Sequence, residues 1–292
     1  MTEPHITQEM IKLYDDYTHL TLDRRRFMES LTRLAGSGAA AAIIAPMLAA
    51  SPARAAMVAP DDPKIKASDV TWPGSGGDMK GYLVLPAEAA GKLGAVIVIH
   101  ENRGLNEHTK DVARRMALEG FAALAVDYLS PKGGTPADEE AARKLIGELD
   151  PAQTVANSVA TVAFLKAHAA ANGKVGAMGF CWGGGQVNSL AVNSADLNGG
   201  VAYYGRQADA ADVPKITAPL LLHYGGLDER INAGIPAYEA ALKANGKAYE
   251  IHIYDGANHA FNNDTSEARY NKAAAELAWG RTVAFFRKNL AA

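Results

Sequence analysis

The single cysteine of the chain, Cys181, lies at the centre of the sequence GFCWG, residues 179–183. The apolar residues 175–178 before it predict a buried strand, and residues 184–192 after it predict a helix. A glycine–x–nucleophile–x–glycine turn between a strand and a helix holds its central residue in a strained, exposed conformation at the top of a parallel sheet. A side chain at either glycine position would collide with the strand or the helix. The pattern therefore predicts that the Cys181 thiol is a nucleophile.

Two loops at the ends of later predicted strands supply the partners of such a nucleophile. The sequence GGLD, residues 225–228, ends in Asp228, and DGANHAF, residues 255–261, contains His259. In acyl transfer the nucleophile attacks a carbonyl carbon, an imidazole transfers its proton, and a carboxylate orients the imidazole. A thiol needs less help from the base than a hydroxyl, because its pKa is lower and a helix start favours the thiolate. The chain order Cys181, Asp228, His259 is that of α/β-hydrolases, so we expect a Cys-His-Asp triad.

A third loop, HENRG at residues 100–104, follows a predicted buried strand. In this arrangement the loop contributes one backbone N–H to the oxyanion hole, and the residue after the nucleophile contributes the other. We therefore expect the backbone amides of Asn102 and Trp182 to stabilise the oxyanion.

The elements that must position these loops alternate along the chain. Short apolar runs predict strands, and amphipathic stretches between them predict helices. Strands are predicted at residues 82–85, 95–100, 121–126, 175–178, 200–204, 219–224 and 248–254, and helices at residues 107–118, 137–149, 151–168, 184–192, 233–243 and 269–289. This alternation predicts a single α/β domain with a mostly parallel, doubly wound sheet that binds its ligand beyond the C-terminal ends of the strands.

From about residue 70 to residue 290 the chain resembles the dienelactone hydrolase (carboxymethylenebutenolidase) family. The matching motifs are His100-Glu101, GFCWGG at residues 179–184, YYG at residues 203–205, GLD at residues 226–228 and GANHAF at residues 256–261. The resemblance implies an α/β-hydrolase fold with about eight strands and no large lid. It also implies that Glu101 interacts with the thiol and takes part in its substrate-linked activation, which a carboxylate facing the turn can do by accepting a proton. The alternative for Glu101 is an ordinary loop charge.

Two arginines that hold the substrate carboxylate in enzymes acting on dienelactone are missing from this sequence. The corresponding regions are DYLSPK at residues 127–132 and HAFNN at residues 259–263. Arg103 and Arg206 lie in predicted loops near the site and are candidates for binding a substrate anion through a guanidinium fork. A solvated or structural role is the alternative for both.

The N-terminal residues differ in character from the rest of the chain. The basic sequence DRRRFME at residues 23–29 precedes an alanine-rich, weakly apolar run at residues 34–50, and Ala53-Arg54-Ala55 has the form that signal peptidase cleaves. Paired arginines before Phe27 are typical of twin-arginine export. The alternatives are a membrane anchor, for which the apolar run is short and interrupted, and an amphipathic N-terminal helix.

These features predict a division of the chain into three parts. Residues 1–55 are expected to be a twin-arginine-type signal peptide, residues 56–69 an N-terminal extension, and residues 70–292 the hydrolase domain. The expected partner before cleavage is the twin-arginine export machinery, and the expected location is periplasmic or secreted.

Composition excludes several other classes of protein. The formal net charge is −3 and the hydrophobic fraction is 48%, which is unlike a nucleic-acid-binding or a disordered acidic protein. One cysteine excludes an intramolecular disulfide. No two histidines have a metal-binding helical spacing with a third ligand, and we expect no metal, no cofactor, no nucleic-acid partner and a monomer.

Together the motifs predict an enzyme that opens a carboxylic ester or lactone, a small-molecule substrate, through a cysteinyl acyl-enzyme. The alternatives are a thioesterase or general carboxylesterase of the same fold, a non-catalytic ligand-binding protein whose thiol is inert, and a redox-sensing thiol. His100 is expected to be a packed or hydrogen-bonded loop histidine.

Overall fold

The computed structural model describes residues 5–19, 22–49 and 56–291. Its strands are β1 Ile65–Gly74, β2 Gly77–Pro86, β3 Leu93–Ile99, β4 Ala122–Asp127, β5 Ala171–Phe180, β6 Leu197–Tyr203, β7 Leu220–Gly225 and β8 Tyr249–Tyr254. They form one sheet in the order β1-β2-β4-β3-β5-β6-β7-β8. Strand β2 is antiparallel to β1 and β4, and every other pair of neighbours is parallel. The predicted single-domain α/β-hydrolase fold with a mostly parallel sheet is confirmed.

Helices cover both faces of this sheet. They are α1 Gln8–Thr18, α2 Arg24–Ala35, α3 Gly38–Leu48, α4 Glu107–Leu118, α5 Glu139–Gly147, α6 Pro151–Ala167, α7 Trp182–Asn193, α8 Glu229–Asn232, α9 Ile235–Ala244 and α10 Lys272–Leu290. Successive residues of a strand point to opposite faces, so Ile97 of β3 packs with α6 and α7 while Val98 packs with α4 and α10. Both faces of the parallel strands are therefore buried, which explains their continuous apolar runs.

The first strand was not among the predicted elements. Strand β1 lies at the edge of the sheet and exposes most of its residues, so it lacks the apolar run or alternation by which a strand is predicted. It begins at Ile65, inside the stretch 56–69 that the sequence suggests is an extension, and it pairs with β2 from that residue onward.

Residues 5–19 and 22–49, which we call the N-terminal segment, form three helices with a small core of their own. Side chains of Thr7, Asp23 and Ser37 cap the first turns of α1, α2 and α3. The shared core contains Met10, Tyr14, Tyr17, Phe27, Leu31, Ala41, Ile44 and Leu48. It packs against the domain that contains the sheet at Ala268, and Ser266 donates a hydrogen bond to the Leu48 carbonyl.

No single helix of the described residues is long and apolar enough to cross a membrane. Helices α2 and α3 meet that criterion only as a pair, and the pair bends by 113°. The predicted cleavage site at Ala53-Arg54-Ala55 lies outside the described residues.

Candidate active site

The predicted nucleophile lies at the turn between β5 and α7. Cys181 has φ 55° and ψ −113°, a conformation that residues with a side chain rarely adopt. A Cβ on Gly179 would lie 2.3 Å from the Gly183 carbonyl oxygen, and a Cβ on Gly183 would lie 2.5 Å from the carbonyl oxygens of Ile99 and His100. Both glycines are therefore required by close backbone approach, as the sequence pattern predicts.

Asp228 follows β7 and His259 lies in the loop after β8, and the two side chains are buried and in contact. The distance between His259 Nδ1 and Asp228 Oδ2 is 2.5 Å, and Asp228 Oδ1 also accepts a hydrogen bond from the Ile231 amide. Burial raises the pKa of Asp228, but the neighbouring imidazole outweighs it and the pKa is lowered overall. The carboxylate therefore stays ionised and holds the His259 ring.

Backbone strain in the described chain is concentrated at this site. The three described non-glycine residues with positive φ are Cys181 at 55°, Tyr204 at 40° and Ala260 at 62°. Tyr204 follows β6 with its ring 5.0 Å from that of His259, and Ala260 is the next residue after His259. Such strain persists only where the surrounding structure fixes it, and it clusters at functional sites.

A histidine that the sequence reasoning did not select lies on the thiol. His19, at the end of α1, places Nε2 3.3 Å from Cys181 Sγ, and its ring packs edge-on against His259 at 4.7 Å. Burial raises the pKa of the Cys181 thiol, but His19 and His259 outweigh it and lower the pKa to about 6. Burial lowers the pKa of His259, but Asp15, Asp228 and Cys181 outweigh it and raise the pKa well above its ordinary value. These shifts favour a thiolate beside an imidazolium.

Glu101 and Cys181 both act electrostatically on the Tyr204 hydroxyl. The Glu101 carboxylate accepts hydrogen bonds from the Tyr204 hydroxyl at 3.4 Å and from Asn263 Nδ2 at 3.0 Å. Among the described contacts, the polar partner of Sγ is His19 and not Glu101. The role of Glu101 in activating the thiol therefore stays a prediction.

The two predicted oxyanion-hole residues flank the turn. Trp182 begins α7, and its ring stacks on His100 at 5.3 Å. The Asn102 side chain donates a hydrogen bond of 2.6 Å to the Thr18 carbonyl of the N-terminal segment. His100 Nδ1 contacts the Glu101 carbonyl at 2.6 Å, so His100 is a buried, hydrogen-bonded loop residue, as expected.

A cavity of about 320 Å³ opens beside the thiol. Its walls include His19, Cys181 and His259 together with Asn102, Arg143, Trp182, Tyr204, Arg206 and Arg230. A second cavity of about 510 Å³ shares Cys181, Trp182 and Arg206 with it. A space of this size next to a buried nucleophile fits a small-molecule substrate.

The two candidate anion-binding arginines have different surroundings in the structure. Arg206 borders both cavities and is exposed. Arg103 is directed elsewhere, because its guanidinium pairs with Glu139 and donates a 2.7 Å hydrogen bond to the Tyr14 hydroxyl. Arg103 is not among the residues that line either cavity.

Two groups of side chains bring three potential ligand atoms within 4.8 Å of one another: His19, Cys181 and His259, and Asp15, Asp228 and His259. The hydrogen bonds and ion pairs of the triad and of the N-terminal segment account for both groups, and we assign no ion to them.

The family of the chain follows from its match to known proteins. A profile described as the dienelactone hydrolase family matches residues 79–290. The chain belongs to the dienelactone hydrolase family. It is therefore a hydrolase that acts on carboxylic esters. A second profile, described as YqhI-like, matches residues 1–36, which lie in the N-terminal part of this dienelactone hydrolase family member.

Relatives of this dienelactone hydrolase family member cover most of its length. A "Putative carboxymethylenebutenolidase" of Escherichia coli O157:H7 is 32% identical over 255 residues, covering 82% of this chain and 93% of the relative. A "Probable 2-oxo-3-(5-oxofuran-2-ylidene)propanoate lactonase" of a Bradyrhizobium species is 33% identical over 223 residues, covering 72% and 89%. The crystal structure of a "Putative Dienelactone Hydrolase" from Klebsiella pneumoniae is 29% identical with a TM-score of 0.69, covering 77% of this chain and 99% of that one.

Proposed function

We propose that the protein hydrolyses a carboxylic ester or lactone through a cysteinyl acyl-enzyme, with Cys181 as nucleophile, His259 as acid and base, and Asp228 as the residue that orients His259. The observation that carries this proposal is the strained Cys181 turn beside a buried His259–Asp228 pair with a 2.5 Å contact. A lowered thiol pKa of about 6 makes the thiolate abundant at neutral pH.

The proposed reaction has two steps. The Cys181 thiolate attacks the carbonyl carbon, and the backbone amides of Asn102 and Trp182 stabilise the resulting oxyanion. The tetrahedral intermediate collapses with cleavage of the C–O bond, and the His259 imidazolium protonates the departing oxygen. His259 then takes a proton from water, whose oxygen attacks the thioester and releases the acid and the thiolate.

We propose that the substrate carries an anionic group that Arg206 binds. Arg206 borders the cavity at the thiol, whereas the guanidinium of Arg103 is paired with Glu139. The name of the Bradyrhizobium relative describes a lactone that bears a carboxylate. A guanidinium can bind a carboxylate through two parallel hydrogen bonds.

Hydrolysis of p-nitrophenyl acetate and of carboxylate-bearing lactones by the Cys181→Ala variant tests the mechanism. We expect activity to fall to background while circular dichroism and the melting temperature stay near those of the parent. Trapping of an acyl group on Cys181 by mass spectrometry would support the covalent step. Undiminished hydrolysis by Cys181→Ala would refute it, and a parent thiol inert toward iodoacetamide would favour a binding protein.

We also propose that residues 1–55 direct export by the twin-arginine machinery. Arg24 and Arg25 precede Phe27 at the start of α2, and the Arg25 side chain is 88% exposed, so a receptor can reach it. Cell fractionation tests this with the double substitution Arg24→Lys and Arg25→Lys, and with Arg33→Lys of the same helix as control. We expect only the double variant to stay in the cytoplasm, and an unchanged distribution would contradict export by this route. Terminal sequencing of the exported protein measures whether the chain is cleaved after Ala55 or keeps residues 1–55, and a catalytic role for any residue of the N-terminal segment requires that they are kept.

A further inference from the structure

The N-terminal segment is seated on the hydrolase domain through specific contacts around the site. Arg230, two residues after Asp228, lies 3.5 Å from the Asp15 carboxylate. The guanidinium of Arg269 lies 5.0 Å over the Tyr14 ring, and that of Arg143 lies 4.5 Å over the Tyr17 ring. Cation–π contacts of partly buried groups stabilise such an interface. Side chains of the hydrolase domain therefore hold the segment at the site.

This seating brings a second carboxylate–imidazole pair to the sulfur. His19 Nδ1 lies 2.7 Å from the Asp15 carbonyl oxygen and 3.3 Å from Asp15 Oδ1, while Nε2 faces Cys181 Sγ. A carbonyl oxygen only accepts hydrogen bonds, so Nδ1 must carry the proton. The Nε2 atom of neutral His19 then has a free lone pair directed at the thiol, which is the arrangement of a general base.

His259 is oriented in a similar way, with one ring nitrogen toward a carboxylate. Its Nδ1 faces Asp228, and its Nε2 is buried and has no hydrogen-bond partner among the described residues. His259 also borders the 320 Å³ cavity, where a substrate would bind. Both imidazoles line this cavity and lie close to the sulfur, but His19 Nε2 makes the 3.3 Å contact with Sγ, whereas His259 Nε2 has no hydrogen-bond partner among the described residues and is free to serve the substrate.

The cavity remains open with the N-terminal segment in place, so the segment forms a wall of the site and does not fill it. Thr18 and His19 line a space that persists with the segment seated, and Cys181 lies at its boundary. The profile match to residues 1–36 is an independent indication that the part containing Asp15 and His19 is a recurring unit.

We propose that His19 is a further catalytic residue, which accepts the Cys181 thiol proton while His259 serves the leaving group and the water. This inference rests on the proposed function and divides its proton transfers between two bases. The thiol proton passes from Sγ to His19 Nε2 before sulfur attacks the carbonyl carbon, which leaves a thiolate beside an imidazolium, and it returns after the thioester is cleaved. His259 gives its proton to the departing oxygen and regains one from water, so the net reaction remains ester plus water to acid plus alcohol.

The charged and titratable groups around these two bases come from several elements. The thiol interacts with His19 and His259, and it acts electrostatically on the Tyr204 hydroxyl, which donates to Glu101. His19 faces Asp15, which is paired with Arg230, and the cavity wall adds Arg143 and Arg206. Two carboxylates, Asp15 and Asp228, lie close enough to His259 to favour its protonated form.

The test measures the pH dependence of Cys181 alkylation by iodoacetamide and of kcat/KM for p-nitrophenyl acetate and ethyl acetate, in the full chain. In His19→Ala and His19→Gln we expect the alkylation midpoint to rise from about 6 by about one pH unit, which lowers the rate at pH 5 about tenfold. Because the parent thiol is already mostly ionised at pH 7, we expect kcat/KM to fall about tenfold at pH 5 and only about twofold at pH 7. His5→Ala is the matched control, because His5 is exposed on the same segment.

Variants of the two histidines are expected to respond differently to the leaving group of the ester. We expect His19 variants to slow the acylation phase equally for both esters, because they impair the nucleophile. His259→Ala should slow acylation more for the ethyl ester, whose alkoxide must be protonated, than for the nitrophenyl ester. A His19→Ala profile that superimposes on the parent's, or a rise in kcat/KM, would overturn the inference, and the rise would mean that the segment obstructs the site. Hydrolysis that survives in Cys181→Ala would instead refute the proposed function.

Discussion

The turn at Cys181 and the N-terminal segment are in contact at the Cys181 sulfur, but their sequences determine their positions there in different ways. The turn is specified locally, since Gly179 and Gly183 are required by backbone atoms that lie within 2.3 to 2.5 Å of any added Cβ. The segment reaches the same atom through contacts with distant loops, such as Asp15 with Arg230 and Thr18 with Asn102. A short motif can reveal the first kind of contact, and only the folded chain reveals the second.

The two carboxylate–imidazole pairs give the largest expected difference between these regions. We expect Asp228→Asn to lower kcat by about 10⁴, because an amide does not hold the tautomer of His259 or stabilise its imidazolium. Asp15→Asn should lower kcat/KM only about threefold at pH 5, because His19 Nδ1 keeps its 2.7 Å contact with the Asp15 backbone carbonyl. Steady-state kinetics of the two variants measures both effects. Equal losses would contradict the different roles that we assign to the two histidines.

Glycine substitutions compare the same two regions by their effect on the stability of the protein. We expect Gly183→Ala to lower the free energy of unfolding by about 3 kcal/mol, because its Cβ would lie 2.5 Å from two carbonyl oxygens of the β3 end. Gly38→Ala in α3 should raise it by about 0.5 kcal/mol, because no atom lies within 4 Å of the new Cβ. Urea unfolding monitored by circular dichroism gives both values. A Gly183→Ala variant as stable as the parent would show that the turn tolerates a side chain.

Much of the fold and part of the site could be predicted from the sequence because their signals are local. Buried parallel strands such as β3 carry continuous apolar runs, and the sites of Cys181, Asp228 and His259 follow directly from strand ends. Edge strand β1 was missed because its residues are mostly exposed and give no such run.

His19 was missed for a different physical reason. Its place depends on a chain separation of 162 residues and on capped helices that pack through Tyr14, Tyr17 and Phe27. The same residues 23–29 that predict an export signal begin helix α2 of the seated segment. The signal that could have found it is the run Tyr14 to His19, whose aromatic, acidic and imidazole side chains are unlike the small apolar residues of a leader.

Substitutions of Arg206 and Arg103 are expected to give the smallest difference. They distinguish a residue that binds substrate from a residue that holds the N-terminal segment in place. We expect Arg206→Ala to raise KM about tenfold for a carboxylate-bearing ester and to leave KM for a neutral ester unchanged, because the lost fork binds only the anion. Arg103 contacts Glu139 and the Tyr14 hydroxyl, so Arg103→Ala should lower the melting temperature and keep the parent's ratio of the two KM values. Kinetics with a matched pair of charged and neutral esters, together with thermal unfolding, measures this. If Arg103→Ala, and not Arg206→Ala, lost the preference for the anionic ester, then Arg103 would be the residue that binds the anion. The N-terminal segment, which contains His19, would then have to move away from Arg103 when the substrate binds.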